Sequence, residues 1–245
     1  MYEELKTIIE KGQRIVFFGG AGVSTESGIP DFRSETGLYH ARQQYGRSPE
    51  EMLSVDFFER DPKTFFDYYK KNLIPAGAKP NRAHKALAAL EKAGKLTAVV
   101  TQNIDGLHQM AGSETVYELH GSVRRNTCCR CGRKYDLEHI LNEEHCVDGV
   151  PRCSCGGIIK PDVVLYGEIL DDDCIRRSVE AISQADVLII GGTSLVVYPA
   201  AGFVQYFGGD RLVLLNRSET AMDSRADLVI RDPIGEVLGT CLNIE

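Results

Sequence analysis

The sequence predicts an α/β protein built on a doubly wound, mostly parallel sheet of Rossmann-like type, with a small, helical and cysteine-rich second domain. Short apolar segments alternate with helix-patterned segments along most of the 245 residues, a pattern typical of a parallel sheet covered by helices on both faces. Several apolar segments lack polar alternation, as expected of strands buried on both sides. Two stretches, 37–75 and 126–157, interrupt the alternation and are predicted to be insertions between sheet elements.

The predicted elements follow in chain order. Strands are expected at 15–18, 98–101, 116–119, 163–166, 187–191, 212–216 and 228–231, and helices at 2–11, 81–93, 171–185, 199–207 and 234–242. Three aspartates open the segment 171–185, where the helix dipole stabilises negative charge. Residues 1–36, 76–125 and 158–245 are therefore assigned to the large domain, and residues 37–75 and 126–157 to the small one.

The composition argues against several classes of protein. No apolar stretch approaches transmembrane length, and the first residues lack the regions of a secretory signal, so we expect no membrane association and a cytoplasmic location. The formal net charge of −7 opposes a specific nucleic-acid surface but suits a basic peptide. Eight cysteines in such a chain indicate a metal site rather than disulfides.

A glycine-rich turn follows the first predicted strand. Gly20, Ala21 and Gly22 let the backbone turn sharply and approach a ligand, and a short helix is expected to begin at Val23. The N–H groups at a helix start suit a phosphate, so a nucleotide is predicted. The turn departs from the dinucleotide fingerprint because Thr25 stands where the third glycine belongs, and a tight turn without a ligand is the alternative.

Polar residues follow the second and third predicted strands. Gln102, Asn103 and Asp105 follow the second, and His120 follows the third, which Gly121 is expected to end. A histidine at the carboxyl end of a sheet strand lies where open α/β folds bind ligands, and the polar groups should converge on the same edge as the glycine-rich turn. Imidazole titrates near neutral pH and suits general-base catalysis. The alternative is a set of ordinary turn formers and a histidine that caps a strand.

Six of the eight cysteines fall between residues 126 and 157, and five of these form two close groups at 128–131 and 153–155, with Cys146 between the groups. Four thiolates in two close pairs satisfy tetrahedral zinc and can hold together a region with little core. A filled coordination shell leaves no position for water or substrate, so one structural zinc per chain is expected. The alternative, a redox C-x-x-C centre, requires one reactive pair beside a βαβ unit.

These features together resemble the sirtuins, NAD-dependent protein lysine deacylases, in their minimal bacterial or archaeal form. The resemblance rests on six motifs in the family's order and spacing: G-A-G-V-S-T-E-S-G-I-P-D-F-R at 20–33, T-Q-N-I-D at 101–105 with Leu107 and His108, His120-Gly121, the paired cysteines, Gly192-Thr193-Ser194 and Asn216-Arg217-Ser218. It extends from about Ile15 to the C-terminal helix and so covers nearly the whole chain.

The resemblance implies a role for each matching residue. His120 is the expected catalytic base, and Asn103, the second catalytic residue, is expected to bind the nicotinamide carboxamide and an ordered water together with Asp105. The expected NAD contacts are Gly20, Ala21, Gly22, Thr25, Asp31, Phe32, Arg33, Gln102, Asn103, Ile104, Asp105, His120, Gly192, Thr193, Ser194, Asn216, Arg217, Ser218 and Asp232, with Ile234 an alternative to Asp232 at the adenine. The expected contacts to an acetyl-lysine protein or peptide, added as a strand, are Ile104, Val163, Val164, Leu165, Gly167, Glu168, Val196 and Val197.

The zinc ligands implied by the resemblance are Cys128, Cys131, Cys153 and Cys155. The family separates paired cysteines by at least two residues, which fits Cys128 and Cys131, whereas only Ser154 separates the second pair. Aligned back from residue 159, Cys155 falls on a ligand position and Cys153 is displaced by one. Cys146 and, after it, Cys129 are therefore the alternatives for the fourth ligand.

The activity implied by the resemblance is deacetylation, in which ADP-ribose takes the acetyl group of acetyl-lysine and nicotinamide and O-acetyl-ADP-ribose are released. Sirtuins that prefer succinyl or malonyl groups carry a Tyr and an Arg three residues apart on one helix. Phe66 and Tyr69 align with these positions, so acetyl should be preferred, because a buried carboxylate without a cationic partner is costly to desolvate. A one-residue shift would bring Lys70 or Lys71 there instead.

Three alternative functions are also compatible with some of these sequence features. A Rossmann oxidoreductase explains the glycine-rich turn but not residues 102–105 together with His120-Gly121. Mono-ADP-ribosyl transfer on the same scaffold would be identified by the mass of its product. A zinc ribbon that binds nucleic acid is opposed by the net charge and supported by a basic cluster: Arg124, Arg125, Arg130, Arg133 and Lys134.

Overall fold

The computed structural model describes residues 2–30, 44–74 and 77–245 of the chain. Its main element is a six-stranded sheet in which every pair of neighbouring strands runs parallel. In spatial order the strands are β11 (Leu228–Ile230), β10 (Arg211–Leu215), β9 (Val187–Gly191), β1 (Ile15–Gly19), β2 (Leu96–Thr101) and β3 (Val116–Glu118). The predicted doubly wound α/β class is thereby confirmed.

Two apolar cores, one on each face of this sheet, explain why its central strands are apolar throughout. All five residues of β1 and of β9 are buried. Phe17 packs into one core and Phe18 into the other, since successive side chains of a strand point to opposite faces. The covering helices are Glu3–Lys11, Arg82–Lys92 and Ile234–Cys241 on one face, and Asp172–Gln184 with the 3-10 helix Ala200–Tyr206 on the other.

The strand order creates a topological switch point between β1 and β9. The chain continues from β1 to β2 and β3 on one side, whereas β9, β10 and β11 fill the other side. Open α/β sheets bind ligands outside the carboxyl ends of the strands at such a point. The fold therefore brings the residues that follow β1, β2, β3 and β9 to one edge.

A third apolar core belongs to the small domain. Its helices are Pro49–Met52, Val55–Arg60, Pro62–Asn72 and Leu137–Leu141, and its strands are β4 (Gly121–Cys128), β5 (Lys134–Tyr135), β6 (Cys146–Val147), β7 (Val150–Pro151) and β8 (Ile159–Val163). The antiparallel sheet β5-β4-β8 packs against these helices. Because β4 and β8 contribute to this core, we propose that the second segment of the small domain runs over about 121–165 instead of 126–157.

The strand predicted at 163–166 was misplaced. The strand observed there is β8, which begins at Ile159 and pairs with β4 in the small sheet, not with the parallel one. Its side chains alternate between buried and partly exposed, as expected for a strand with one covered face. The prediction was based on the apolar residues 163–166, whereas the alternation of buried and partly exposed residues that marks the strand lies at 159–163.

Three smaller expectations were also wrong. The segment predicted as a helix at 199–207 is a 3-10 helix, Ala200–Tyr206. After β1 the chain forms two 3-10 turns, Ala21–Val23 and Thr25–Ser27, in place of a helix from Val23, and Gly28 ends them with a φ of 82°. Gly121 begins β4 rather than ending β3. Further short elements are the helix Leu107–Ala111 and the 3-10 helices Glu143–His145 and Asp223–Arg225.

Within the described residues, no helix combines the length and the apolar character needed to cross a membrane.

Candidate functional site

The glycine-rich turn after β1 packs directly against the backbone that leaves β9. The Gly22 N–H donates to the Gly192 carbonyl at 2.8 Å, and the Gly20 N–H donates to the Gly191 carbonyl at 3.2 Å. A Cβ on Gly22 would lie 2.7 Å from Gly192 Cα, and one on Gly192, whose φ is 60°, would collide with the Val23 nitrogen. These glycines are therefore required by the contact of two backbones at the switch point, before any ligand is considered.

A buried polar cluster joins this turn to the residues after β2. Ser24 Oγ donates to Asp105 Oδ2 at 2.7 Å and accepts from Asn103 Nδ2 at 3.1 Å. Asp105 Oδ1 accepts the Leu107 N–H at 2.9 Å, and both Ser24 and Asp105 are buried. Asn103 and Asp105 were predicted to act together from the sequence, whereas Ser24 was not predicted to have a side-chain role. Its hydroxyl fixes the orientation of both neighbours.

Two buried histidines lie behind this cluster. His84 Nε2 is 3.5 Å from Ser24 Oγ, and the His84 ring meets the His108 ring edge-on with 4.7 Å between centroids. Burial lowers the pKa of His84 to about 4, against the partial opposition of the Asp105 charge, and holds the pKa of His108 well below its ordinary value. Both imidazoles are therefore neutral at pH 7. Neither ring nitrogen of His108 has a hydrogen-bond partner among the described residues.

His120 follows β3 and faces the backbone after β2. Its Nδ1 lies 2.9 Å from the Gln102 carbonyl oxygen, which can only accept, so Nδ1 carries a proton and, in the neutral ring, Nε2 carries the lone pair. The Gln102 side chain extends the connection, because its Nε2 donates to Thr193 Oγ1 at 3.0 Å, and Thr193 Oγ1 also accepts the Leu195 N–H at 3.2 Å. One hydrogen-bonded path thus runs from His120 to the segment after β9.

The glycine after His120 is explained by the second domain. Gly121 has a φ of 75°, and a Cβ there would collide with the Asp162 carbonyl oxygen of β8. The His120 carbonyl accepts the Val164 N–H at 2.9 Å. The His-Gly pair therefore connects the edge of the large sheet to the strand that precedes the expected peptide-binding residues.

Several backbone N–H and C=O groups of the segment 163–168 are already hydrogen-bonded within the protein. Beyond Val164, the Tyr166 N–H donates to the Leu53 carbonyl at 2.9 Å, and the Val55 N–H donates to the Tyr166 carbonyl at 3.0 Å. Val163 and Leu165 are buried in the small-domain core, and Ile104 packs against the same core. The opposite expected edge includes Val196, which is 66% exposed, and Val197, which is partly exposed.

The remaining expected NAD contacts lie along the same edge or outside the described residues. Asn216 Nδ2 donates to the Ser218 carbonyl at 2.8 Å, and Arg231 Nη1 donates to the carbonyls of both residues. Arg217 and Ser194 are exposed. Thr25 Oγ1 donates to the Gly22 carbonyl at 3.0 Å, and Asp232 Oδ2 accepts from Tyr2 at 2.8 Å. Asp31, Phe32 and Arg33 lie outside the described residues.

The structure brings four cysteines together in the small domain. The Sγ atoms of Cys128, Cys131, Cys153 and Cys155 all lie within 4.8 Å of one another. Cys128 with Cys155 and Cys131 with Cys153 are each separated by 3.5 Å, close to the roughly 3.8 Å edge of a tetrahedron with 2.3 Å zinc–sulfur bonds. Hydrogen bonds from the Cys155 N–H and the Tyr135 hydroxyl lower the pKa of the Cys153 thiol, whereas the pKa of Cys155 is raised because the bond from the Gly157 N–H is outweighed by its bonds to neighbouring thiols.

Gly157 leaves room for this cluster, because a Cβ there would lie 2.8 Å from Cys128 Sγ. The alternatives for the fourth ligand lie apart from it: Cys146 Sγ contacts Lys70 Nζ at 3.5 Å, and Cys129 is exposed. His145 is exposed and stacks on His139, with 3.9 Å between ring centroids. The donor set of four adjacent thiols fits structural zinc.

Comparison with known proteins gives consistent matches over nearly the whole chain. The sequence model of the Sir2 family matches residues 20–199. An NAD-dependent protein deacetylase of Clostridium perfringens is 60% identical over 242 residues, which cover 98% of each chain. Another, of Clostridium acetobutylicum, is 58% identical over 240 residues, which cover 98% of this chain and 97% of that one.

Solved structures agree with these sequence matches. A structure that addresses sirtuin substrate affinity superimposes with a TM-score of 0.90 at 39% identity, covering 99% of this chain and 98% of that one. A complex of Sir2 with a p53 peptide and NAD+ superimposes with a TM-score of 0.87 at 38% identity, covering 99% of this chain and 98% of that one. A complex of Sir2 with a deacetylated p53 peptide and 3'-O-acetyl ADP ribose superimposes with a TM-score of 0.86 at 39% identity, covering 96% of this chain and 95% of that one.

Proposed function

This chain belongs to the Sir2 family, and we propose that it is an NAD-dependent protein lysine deacetylase. In this reaction the acetyl group of an acetyl-lysine protein or peptide is transferred to ADP-ribose, with release of nicotinamide and O-acetyl-ADP-ribose. The observation that carries the proposal is the convergence of His120 with the Ser24–Asn103–Asp105 cluster beside the glycine-rich turn. The match of the Sir2 family model to residues 20–199 favours this reaction over that of a Rossmann oxidoreductase, which also uses a base when it oxidises a hydroxyl group.

NAD supplies the bond between nicotinamide and ribose, whose cleavage leaves an ADP-ribosyl group that can take up the acetyl group. Asn103 and Asp105, held by Ser24, are proposed to orient the nicotinamide carboxamide and an ordered water. His120 is proposed to accept a proton from a ribose hydroxyl at Nε2, since its Nδ1 faces the Gln102 carbonyl. Holding a weak nucleophile such as an amide oxygen next to the ribose supplies much of the rate enhancement through proximity.

The other expected NAD contacts remain part of the proposal. Gly20, Ala21 and Gly22 would receive the phosphates, and the residues after β9 and β10 would bind the adenosine half: Gly192, Thr193, Ser194, Asn216, Arg217 and Ser218. The Gln102 side chain already donates to Thr193 Oγ1, so it would reach the ribose through its amide oxygen. Asp232 already accepts from Tyr2, so a role at the adenine would require it to serve both groups.

The peptide would lie between Val196–Val197 and the segment that ends at Glu168. Because the backbone of Tyr166 is already bonded to Leu53 and Val55, we propose that strand addition begins at Gly167 and continues toward Leu170. Tyr166 and Ile169 are exposed there, at 39% and 86%, which suits contact with peptide side chains. The four cysteines would hold one zinc that stabilises the small domain and takes no part in the chemistry.

Acetyl should be preferred over succinyl. Phe66 and Tyr69, which align with the anion-binding positions, are fully buried and uncharged. The two lysines that a shifted alignment would bring there are paired with carboxylates: Lys70 Nζ is 2.8 Å from Glu143 Oε1, and Lys71 Nζ is 2.6 Å from Asp67 Oδ1. Since none of these four described residues offers an unpaired cation to the succinyl carboxylate, we expect catalytic efficiency at least about tenfold lower on a succinyl peptide than on the matched acetyl peptide.

The deciding experiment incubates the protein with NAD and matched acetyl-, succinyl- and unmodified-lysine peptides and follows each product by mass. We expect nicotinamide release only with the acyl peptides, and mainly with the acetyl peptide. The acetyl peptide should yield O-acetyl-ADP-ribose, and any turnover of the succinyl peptide should yield O-succinyl-ADP-ribose. Transfer of ADP-ribose onto the peptide would instead indicate mono-ADP-ribosyl transfer, and nicotinamide release without any peptide would contradict deacetylation. Equal or better succinyl turnover would refute the acyl preference alone. The cytoplasmic location stays a prediction, which cell fractionation would test.

A further inference from the structure

An ion pair away from the proposed NAD site connects β8 to Glu168, one of the expected peptide contacts. Lys160 Nζ lies 3.0 Å from Glu168 Oε2, and the two side chains are only 19% and 29% exposed. Lys160 Nζ also donates to the carbonyls of Pro161, at 3.2 Å, and Val163, at 3.1 Å. The three donors of the ammonium group thus meet three oxygens, two of them on the backbone.

Glu168 completes a closed ring of contacts. The oxygen that accepts from Lys160 also accepts the Leu165 N–H at 2.8 Å, and the Glu168 N–H donates to the Leu165 carbonyl at 2.9 Å. The turn between them contains Gly167, with a φ of 93°, and a Cβ there would lie 3.2 Å from Val55 Cγ1. The ion pair therefore fixes both the end of β8 and the shape of the turn that follows it.

This pair differs from a neighbouring ion pair that joins β5 to β8. Lys134 Nζ lies 3.3 Å from Asp162 Oδ2, but the Lys134 side chain is 74% exposed. Its described hydrogen bonds go to two side-chain oxygens, Thr127 Oγ1 and Asp162 Oδ2, and not to the backbone. Exposed pairs contribute little, whereas charged hydrogen bonds to partly buried groups are costly to lose. Lys134 is thus a matched control for Lys160.

We propose that Lys160 and Glu168, here called the clasp, are positioning residues that hold the edge beyond Gly167 in the shape that receives the acetyl-lysine peptide. The proposal rests on the proposed function, because it assigns the peptide to this edge. The clasp contacts none of the residues at the glycine-rich turn or after β2 in the hydrogen bonds and ion pairs described. Its loss should weaken peptide binding and leave NAD binding unchanged.

The test compares Lys160→Met and Glu168→Gln with Lys134→Met, and includes Lys160→Arg as the conservative variant. Hydrogen exchange of the segment 163–170 should become on the order of tenfold faster in the first two variants and stay unchanged in Lys134→Met. The Kd for an acetyl-lysine peptide, measured by fluorescence anisotropy, should rise on the order of tenfold, while the KM for NAD and kcat stay within about threefold. Lys160→Arg should recover much of the loss.

The outcomes separate the clasp from the proposed function. Unchanged exchange in Lys160→Met would overturn the clasp whatever the protein's activity. Faster exchange with an unchanged peptide Kd, or an equal effect of Lys134→Met, would overturn its role in positioning. A wild-type protein that binds no acyl-lysine peptide would refute the proposed function and with it this role, whereas the exchange data would still report on the contact itself.

Discussion

The glycine-rich turn of the large domain and the four-cysteine knuckle of the small domain are both short turns packed around glycine, but they are held together by different forces. At the first, Gly22 and Gly192 bring two backbones into contact over a sheet with an apolar core on each face. At the second, four thiols lie among the end of β4, three strands of only two residues each, and a single core. Packing makes the first turn rigid, whereas the second turn requires a bound metal to become rigid.

This difference predicts which perturbation damages which region. A change at the glycine-rich turn should lower the stability of the large domain and affect NAD. A change at the knuckle should release the metal and loosen the small domain, while the parallel sheet persists. Each experiment below asks whether the two regions respond as separately as their construction suggests.

The largest effect is expected from loss of the metal. Cys153→Ser should reduce zinc from one per chain to near none, and lower metal affinity by more than about a hundredfold, because it removes a ligand and not merely an outer contact. Metal analysis and circular dichroism would measure this, with partial loss of structure that stops short of the sheet. Cys129→Ser, a change at an exposed cysteine outside the cluster, should keep full zinc. Retained zinc in Cys153→Ser, with loss in Cys146→Ser, would show that the ligand set is wrong.

The next effect concerns the base. His120→Ala should lower kcat for deacetylation on the order of 10²–10⁴-fold, the usual contribution of a positioned general base, while NAD binding and the melting temperature change little. His145→Ala is the control, since His145 is an exposed histidine of the small domain. Near-normal turnover in a folded His120→Ala protein would remove His120 from the catalytic machinery.

A pair of glycine substitutions then compares the two turns directly. Gly192 and Gly132 have similar φ angles, 60° and 71°, but a Cβ on Gly192 would collide with Val23, whereas one on Gly132 meets nothing within 4 Å. Gly192→Ala should therefore lower the free energy of unfolding by about 3 kcal/mol, and Gly132→Ala by only the left-handed backbone penalty of about 1 kcal/mol. Chemical denaturation would measure both. Equal losses would mean that the backbone contact at the switch point contributes nothing beyond φ.

The smallest effect is a pH dependence confined to the large domain. Because burial lowers the pKa of His84 from 6.5 to about 4, the unfolded state binds a proton between these values and the folded state does not. Stability should therefore fall as pH drops below about 6.5, by about 2 kcal/mol between pH 7 and pH 5 from His84 alone. The pKa of His108 is shifted in the same direction, so it should add to the fall.

His108→Leu isolates part of this effect. Its ring nitrogens have no partner among the described residues, so the substitution should cost no more than about 1 kcal/mol at pH 7 and should reduce the fall toward pH 5. Denaturation of both proteins at pH 7, 6 and 5 would measure the difference, with His145→Leu as an exposed control. A slope that His108→Leu leaves unchanged would contradict the assignment of a neutral, buried imidazole.

Much of the fold followed from local pattern. The strand at 187–191 was predicted at its observed bounds, and the helices at 81–93 and 171–185 differ from the observed ones by one residue at each end. Both helices begin at side-chain caps that the sequence carries, since Asn81 accepts from the Ala83 and His84 N–H groups and Asp171 from the Cys174 N–H. The prediction at 163–166 failed because the N–H groups of Val164 and Tyr166 bond to the carbonyls of His120 and Leu53 instead of to the parallel sheet.

The sequence by itself determined the α/β class, the alternation of apolar strands and helices, and the set of motifs that identifies the family, because these depend on residue type and spacing along the chain. Only the tertiary structure decided that Ser24 links Asn103 to Asp105, that Gly121 is needed where β8 passes, that four of the cysteines share one cluster while Cys146 lies apart, and that Lys160 reaches Glu168. Each of these is a contact between segments distant in sequence or a matter of side-chain direction, and a pattern along the chain contains neither distance nor direction.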